Sequence, residues 1–185
     1  MKNLLHVGCG YNTKKDTLKY YGNEWKETRV DVNPDVNPDI LGTMKDLSNV
    51  QNNFYDSIFS AHSVEHVYIH EVDIVLKEFY RVLNQNGFLV ITCPDLKAIS
   101  KLIVEDKLLE VAYKSPAGPI NPMDMLWGHS SSIKEGNEFM AHKCGFTKKT
   151  LMGALTNAGF KSVAGVEIPG RITMKTVLWV FGLLL

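Results

Sequence analysis

Short apolar runs, separated by polar and glycine-rich stretches, organise the first half of the chain. Asn3 to Val7 is one such run, and it ends in Gly8, Cys9 and Gly10, which predicts a buried strand feeding a tight turn. Thr28 to Val32 alternates, with Val30 and Val32 on one face and Arg29 and Asp31 on the other. Ile40-Leu41 is a short apolar piece, Tyr55 to Ser60 centres on Ile58 and Phe59, and Gly87 to Thr92 reads GlyPheLeuValIleThr, the pattern of a central strand covered on both faces. Between the last two, His70 to Leu83 places Val72, Val75, Leu76, Phe79, Val82 and Leu83 at helical spacing, and Asn84 to Gly87 predicts the turn that stops this helix. Further on, Thr147 is an N-cap candidate for a helix with Leu151, Met152, Leu155 and Ala158 on one side; Gly159 closes it before a strand over 160 to 166. Strand and helix alternate, so the expected architecture is an α/β sheet with right-handed crossovers.

Two stretches break the rhythm. Asn33 to Asp39 repeats AsnProAsp and predicts successive turns, without the spacing or glycine of a calcium loop. From Asp95 to Cys144 the chain has a helical first part (Leu102, Ile103, Leu108, Leu109, Val111) and then a loop rich in Pro, Gly and Ser, the composition of a lid or binding loop. Thr176 to Leu185 is nearly all apolar. A single crossing of a bilayer takes roughly 20 such residues, so a strand buried on both faces is favoured over a membrane-touching tail.

Composition narrows the partners. The 185 residues carry 20 Lys+Arg against 20 Asp+Glu, so the clustered cation excess that drives nucleic-acid binding is missing and no nucleic-acid partner is expected. One globular domain spanning 1–185 accommodates this length. Cys9, Cys93 and Cys144 are odd in number and widely spaced, and no secretory leader is expected at the start, which points to a reduced, cytoplasmic protein.

The chemistry concentrates at four blocks. Gly8, Cys9 and Gly10 follow a strand, and Asp31 stands 21 residues after Gly10 at the end of the next one. Glycines let backbone approach a ligand with N–H groups facing its anionic part, while a carboxylate at the second strand's end accepts both hydroxyls of a ribose. A dinucleotide fingerprint requires a third glycine where this chain has Thr13. Asp46-Leu47 is the second block, residues 54 to 67 (PheTyrAspSerIlePheSerAlaHisSerValGluHisVal) the third, and residues 76 to 95 (LeuLysGluPheTyrArgValLeuAsnGlnAsnGlyPheLeuValIleThrCysProAsp) the fourth. In this order the blocks resemble the class I S-adenosylmethionine-dependent methyltransferases, in particular their type-11 branch of small bacterial enzymes.

The resemblance implies a doubly wound, mostly parallel Rossmann-like sheet with an antiparallel final strand, which gives the apolar Val177 to Leu184 a buried place. It implies S-adenosylmethionine as cofactor and S-adenosylhomocysteine as product. Gly8, Cys9 and Gly10 would lie against the methionine part, Asp31 and its neighbour Val32 at the ribose, Asp46 and Leu47 at the adenine, and Ser60, Ala61 and His62 along the pocket wall. The chain departs from the pattern after the glycine turn, where Tyr11 to Asp16 is polar and the helix is expected to be short, so 95–146 is expected to supply a lid-like cover.

Methyl transfer to a hydroxyl or ammonium requires alignment and removal of a proton, and histidine is the residue for that near neutral pH. His62, His66, His129 and His142 are the candidates; for His66 the competing reading is that a Glu-His pair before a helix caps and packs. His129, His142 and Cys144 lack regular metal-ligand spacing, and no metal is expected. His6 is expected in the core or at a sheet edge, Cys9 and Cys93 as packing residues, and Asp95 either at substrate or capping a turn. The expected reaction is methylation of an O or N atom of a small polar or sugar-like acceptor by a monomer or homodimer without a membrane partner. Two other readings stay open: a non-catalytic S-adenosylmethionine-binding regulatory or partner protein, and a nicotinamide-dependent oxidoreductase.

Overall fold

The computed structural model of the chain describes residues 1–115, 117–166 and 177–184. Its strands are β1 (Lys2–Val7), β2 (Trp25–Asp31), β3 (Ile40–Leu41), β4 (Tyr55–Ala61), β5 (Leu83–Pro94), β6 (Tyr113–Ser115), β7 (Gly118–Ile120), β8 (Ser162–Val166) and β9 (Val177–Leu183). Seven of them form one sheet in the order β3-β2-β1-β4-β5-β9-β8, in which β9 alone runs antiparallel to both its neighbours. This is the Rossmann-like sheet with an inserted antiparallel last strand that the sequence implies. The apolar tail is strand β9; Thr176 and Leu185, the ends of the predicted run, lie outside the described residues. Among the described residues, no helix is long and apolar enough to cross a membrane.

Successive strand residues face opposite ways, so the sheet builds two apolar layers. Leu5, Ile58, Leu89 and Ile91 face α1 (Val72–Val82) and α5 (Lys148–Asn157), which bury Val75, Leu76, Phe79, Leu151 and Leu155 against them. The Thr147 side chain accepts from the Thr150 N–H, so the predicted cap forms. On the other face, Leu4, Phe59 and Val90 meet Tyr21 and Trp25, which pack edge to face with ring centroids 5.1 Å apart.

That second layer is covered by an irregular β1–β2 crossover. Its single regular element is a three-residue 3-10 turn, Lys14–Asp16, in place of the short α-helix expected there. Lys14, Lys15 and Asp16 offer no apolar stripe, and the tyrosine and tryptophan rings supply the covering area that a helix would. The turn predicted at 84–87 is an excursion within β5: between the pairs Tyr55/Leu83 and Ser57/Phe88, β4 advances two residues and β5 five.

The segment between β5 and α5 leaves and rejoins the sheet at one point, where Leu96 N–H donates to the Phe146 carbonyl at 2.9 Å. It holds α2 (Leu96–Val104), the β6–β7 hairpin, α3 (Pro122–Trp127) and α4 (Ser130–Lys134) around a small core of Ile99, Ile120 and Met125. The predicted helix reaching Val111 is shorter than expected. Asp106 adopts φ 58 and the Lys107 N–H turns back to the Leu102 carbonyl, which ends α2 and leaves Leu109 and Val111 exposed. Asp95 caps this helix, accepting from the Lys97 N–H at 3.0 Å.

Candidate functional site

Two cavities meet at the carboxyl ends of β1 and β4, where open α/β sheets place their ligands. The smaller, about 220 Å³, is lined by Gly8, Gly10, Asp31, Val32, Gly42 and Met44, with His62, His66 and Met140 at its other side. Gly8 has φ 65, and a Cβ there would come within 2.1 Å of the Ser63 Oγ, so this close approach of turn and β4 loop requires glycine. The Gly8 and Cys9 N–H groups donate to the Val30 carbonyl at 2.9 and 3.3 Å, and the Gly10 N–H donates to Asp31 Oδ2 at 2.8 Å. The turn is therefore bonded to the end of β2 and does not present these three amides to an anion, which corrects the sequence expectation for the loop. The same bond, with the Asn33 N–H donating to Oδ1 at 2.9 Å, fixes the Asp31 carboxylate at the cavity wall.

Arg29 is a part of this arrangement that the sequence reading did not single out. Its guanidinium donates to the carbonyls of Gly10, Asn12, Val36 and Asn37, tying the glycine turn to the β2–β3 loop. Its place on the same face of β2 as Asp31 was the available signal.

Asp46, Leu47, Ser60 and Cys9 are not brought to either cavity with the rest. Asp46 faces a separate shallow cleft beside Lys45, Ser48, Glu78 and Arg81, and its Oδ1 accepts from the Ser48 N–H. The Leu47 side chain is core, and its N–H donates to Glu78 Oε2 at 2.8 Å. Gly42 and Met44, from the same connection, line the smaller cavity. Ser60 is fully buried next to Ala61, which does line the larger cavity, and the Cys9 side chain is buried beneath the turn. Burial pushes the Cys9 thiol up to about 11 and the Cys144 thiol to about 12, and Cys93 also rises well above its usual value, so all three stay protonated and non-nucleophilic.

The larger cavity, about 520 Å³, lies between the sheet edge and the 95–146 segment. Its sheet side holds His6, Gly8, Ala61, His62, His66 and Thr92, and the segment adds Tyr113, Asp124, His129, Met140 and His142. All four candidate histidines thus reach one cavity. His6 is buried, with Nδ1 2.8 Å from Glu27 Oε1, and burial lowers its pKa in spite of that carboxylate.

A 3-10 turn over Val64–His66 sets Glu65 between His62 and His66. Glu65 is 1% exposed, and among the described residues neither carboxylate oxygen has a hydrogen-bond partner. The nearest imidazole nitrogen in an ion pair with it is His62 Nδ1, at 3.4 Å. Burial pushes the Glu65 carboxyl up, while the imidazoles of His62, His66 and His142 draw it below its ordinary value. One ligand atom each from Glu65, His66 and His142 lies within 4.8 Å of the others; the set His129, His142 and Cys144 is not among the convergent groups of the described residues.

Residues 5–91 match the family model described as a methyltransferase domain. Over this stretch, just under half of the chain, the sequence is similar to the type-11 domains of class I, S-adenosylmethionine-dependent methyltransferases. Solved structures share the fold across nearly the whole chain. A SAM-dependent methyltransferase from Aquifex aeolicus is 16% identical with TM-score 0.62, covering 100% of this chain and 82% of that one. A possible histamine N-methyltransferase from Thermotoga maritima is 13% identical with TM-score 0.62, covering 100% and 83%. A 1,6-didemethyltoxoflavin-N1-methyltransferase from Burkholderia thailandensis, solved with bound 1,6-didemethyltoxoflavin and S-adenosylhomocysteine, is 13% identical with TM-score 0.60, covering 97% and 69%. No curated protein sequence matches.

The geometry of the site fits S-adenosylmethionine, the cofactor of that family. Asp31 offers a fixed carboxylate to a diol, Gly8 leaves the space that a Cβ would fill, and the amides bonded to β2 leave no cradle for a diphosphate. The last point speaks against a nicotinamide dinucleotide.

Proposed function

We propose that the chain is an S-adenosylmethionine-dependent methyltransferase that methylates an oxygen or nitrogen atom of a small polar acceptor held in the larger cavity. The observation that carries the reading is the shared wall: Gly8, His62, His66 and Met140 line both cavities, so a ligand beside Asp31 and one under the 95–146 segment meet at those side chains. Asp31 accepts the ribose hydroxyls, with Val32, Gly42 and Met44 around the base. Bound S-adenosylmethionine supplies an electrophilic methyl carbon on sulfur. His62, half exposed where the cavities join, takes the acceptor's proton; His129 and Asp124 face the acceptor from the segment, which acts as a lid. The lining is mostly apolar, and its imidazoles, hydroxyls and carboxylate supply the hydrogen-bonding groups for a small acceptor that carries polar atoms.

Titration with S-adenosylhomocysteine tests the assignment. The wild-type chain is expected to bind at micromolar strength, and Asp31→Ala to lose about 10- to 150-fold, the equivalent of about 1.5–3 kcal/mol for charge-assisted hydrogen bonds. An unchanged dissociation constant in the variant would sink the role of Asp31, and binding of a nicotinamide dinucleotide instead would sink the reading as a whole.

A further inference from the structure

We propose that Glu65, His66 and His142 form a divalent transition-metal site on the wall of the larger cavity, with an oxygen atom of the acceptor as a further ligand. The acceptor clause rests on the methyltransferase reading; the metal site does not.

Glu65 is the starting point. A carboxylate taken out of water costs several kcal/mol unless something satisfies it. Here both oxygens are buried without a hydrogen-bond partner among the described residues, and His62 at 3.4 Å belongs to a side chain that is 47% exposed. Two imidazoles stand where a cation would satisfy the carboxylate. Tetrahedral ligands about 2.1 Å from a metal stand about 3.4 Å apart, so atoms within 4.8 Å of one another reach a coordination sphere by side-chain shifts on the order of 1 Å.

The rings are already oriented from behind. His142 Nδ1 lies 3.0 Å from the Met125 carbonyl, and His66 Nδ1 lies 3.1 Å from the Ala141 carbonyl. N–H donation from Nδ1 to a backbone carbonyl fixes the tautomer and leaves Nε2 as the ligand, the usual support of a metal-bound histidine. In His66 that nitrogen lies 3.1 Å from the His62 carbonyl, so the ring has to turn away from this carbonyl to offer its lone pair to a cation. A bound cation would offset that contact by partnering the buried carboxylate, which has no hydrogen bond of its own. The site is also preassembled across the fold, because the Glu65 carbonyl accepts from the N–H groups of Lys143 and Cys144 at 2.8 and 3.2 Å, next to His142.

Two nitrogens and one carboxylate form a donor set for Zn²⁺, Fe²⁺, Co²⁺ or Mn²⁺ in preference to Mg²⁺ or Ca²⁺. Three protein ligands leave positions open, which is the pattern of a catalytic rather than a structural metal. Since His66 and His142 line the larger cavity, the open positions face the acceptor, and a hydroxyl or carboxylate oxygen placed there is both oriented and made more acidic.

The test uses the full chain stripped with EDTA and titrated with Co²⁺, Zn²⁺, Mn²⁺ and Mg²⁺, with S-adenosylhomocysteine binding measured on the same samples. One Co²⁺ or Zn²⁺ per chain at micromolar strength or tighter is expected, with a raised melting temperature and Mg²⁺ at least 100-fold weaker. Glu65→Gln and His142→Asn should each weaken Co²⁺ by more than tenfold. Failure of the wild type to bind Co²⁺ or Zn²⁺ stoichiometrically, or unchanged affinity in both variants, would overturn the proposal, as would a doubly protonated His66 ring in the metal-free protein that added metal leaves unaltered. Metal binding without S-adenosylhomocysteine binding would overturn the methyltransferase reading alone, and the reverse would overturn the metal site alone.

Discussion

His62 holds its side chain between the two cavities on a backbone with φ 51, a conformation that L-residues other than Asn and Asp rarely adopt. Only part of that cost returns through its contact with Glu65 at 3.4 Å, because the ring is half exposed. Replacing His62 by Gly is therefore expected to raise stability by about 0.5–1 kcal/mol in urea melts while lowering turnover, the signature of strain kept for function. A destabilised variant would show that the contact with Glu65 outweighs the strain. His6 presents the opposite case of a residue whose protonation is resisted. Burial holds its pKa below that of the unfolded chain, so the unfolded state takes up a proton first as the pH falls. Its share of stability is complete above about pH 6.5 and is lost on acidification toward the folded value. Melting temperatures of the wild type should fall more between pH 7 and 5 than those of His6→Gln; parallel curves would refute this.

At the scale of elements, the connections matter more than the strands. The chain from Gly42 to Phe54 joins β3 to β4 without a helix, and α1 holds it from the side: Arg81 donates to the carbonyls of Val50 and Leu47, and Glu78 accepts from the Leu47 N–H. Arg81 and Glu78 also pair with each other at 2.8 Å. Arg81→Met should lower stability by about 1–2 kcal/mol, less than several buried charged bonds would give because the guanidinium is partly exposed, and a change below about 0.5 kcal/mol would show the loop to be held otherwise. This network explains what was legible in the sequence. The stripe of α1 and the run of β5 read correctly because each has an unbroken apolar period, and the block from 76 to 95 carries Glu78 and Arg81 in it. The β1–β2 crossover read poorly because aromatic rings brought together by the fold cover the sheet, and rings at irregular spacing carry no period. Asp46 and Leu47 read as adenine contacts because sequence does not show that one closes an Asx turn and the other is committed to Glu78 and the core.

For the whole molecule, the site is a junction between a sheet that sequence describes well and a segment that it does not. Gly8, Asp31 and His62 were readable because strand ends in an α/β sheet converge at one edge. The convergence of Glu65 with His142 was not, because 77 positions separate them and their meeting depends on the Glu65 carbonyl accepting from Lys143 and Cys144. The 95–146 segment encloses only a small core of its own and is fastened near the site by those bonds, by the His66–Ala141 contact and by the bridge at its root. Few buried contacts mean a low local opening free energy, whereas β4 and β5 sit at the centre of the sheet. Amide hydrogen exchange should therefore be faster over α3 and α4 than over β4 and β5. Asn137, Phe139 and Met140 line the smaller cavity, so a ligand that binds beside Asp31 engages the closed segment and stabilises it by mass action. Saturating S-adenosylhomocysteine should slow exchange across 137–142 as well as around Gly8 and Asp31. Slowing confined to the glycine turn would mean that the segment closes on the acceptor alone, and uniform protection of the segment without ligand would mean that it is a fixed wall.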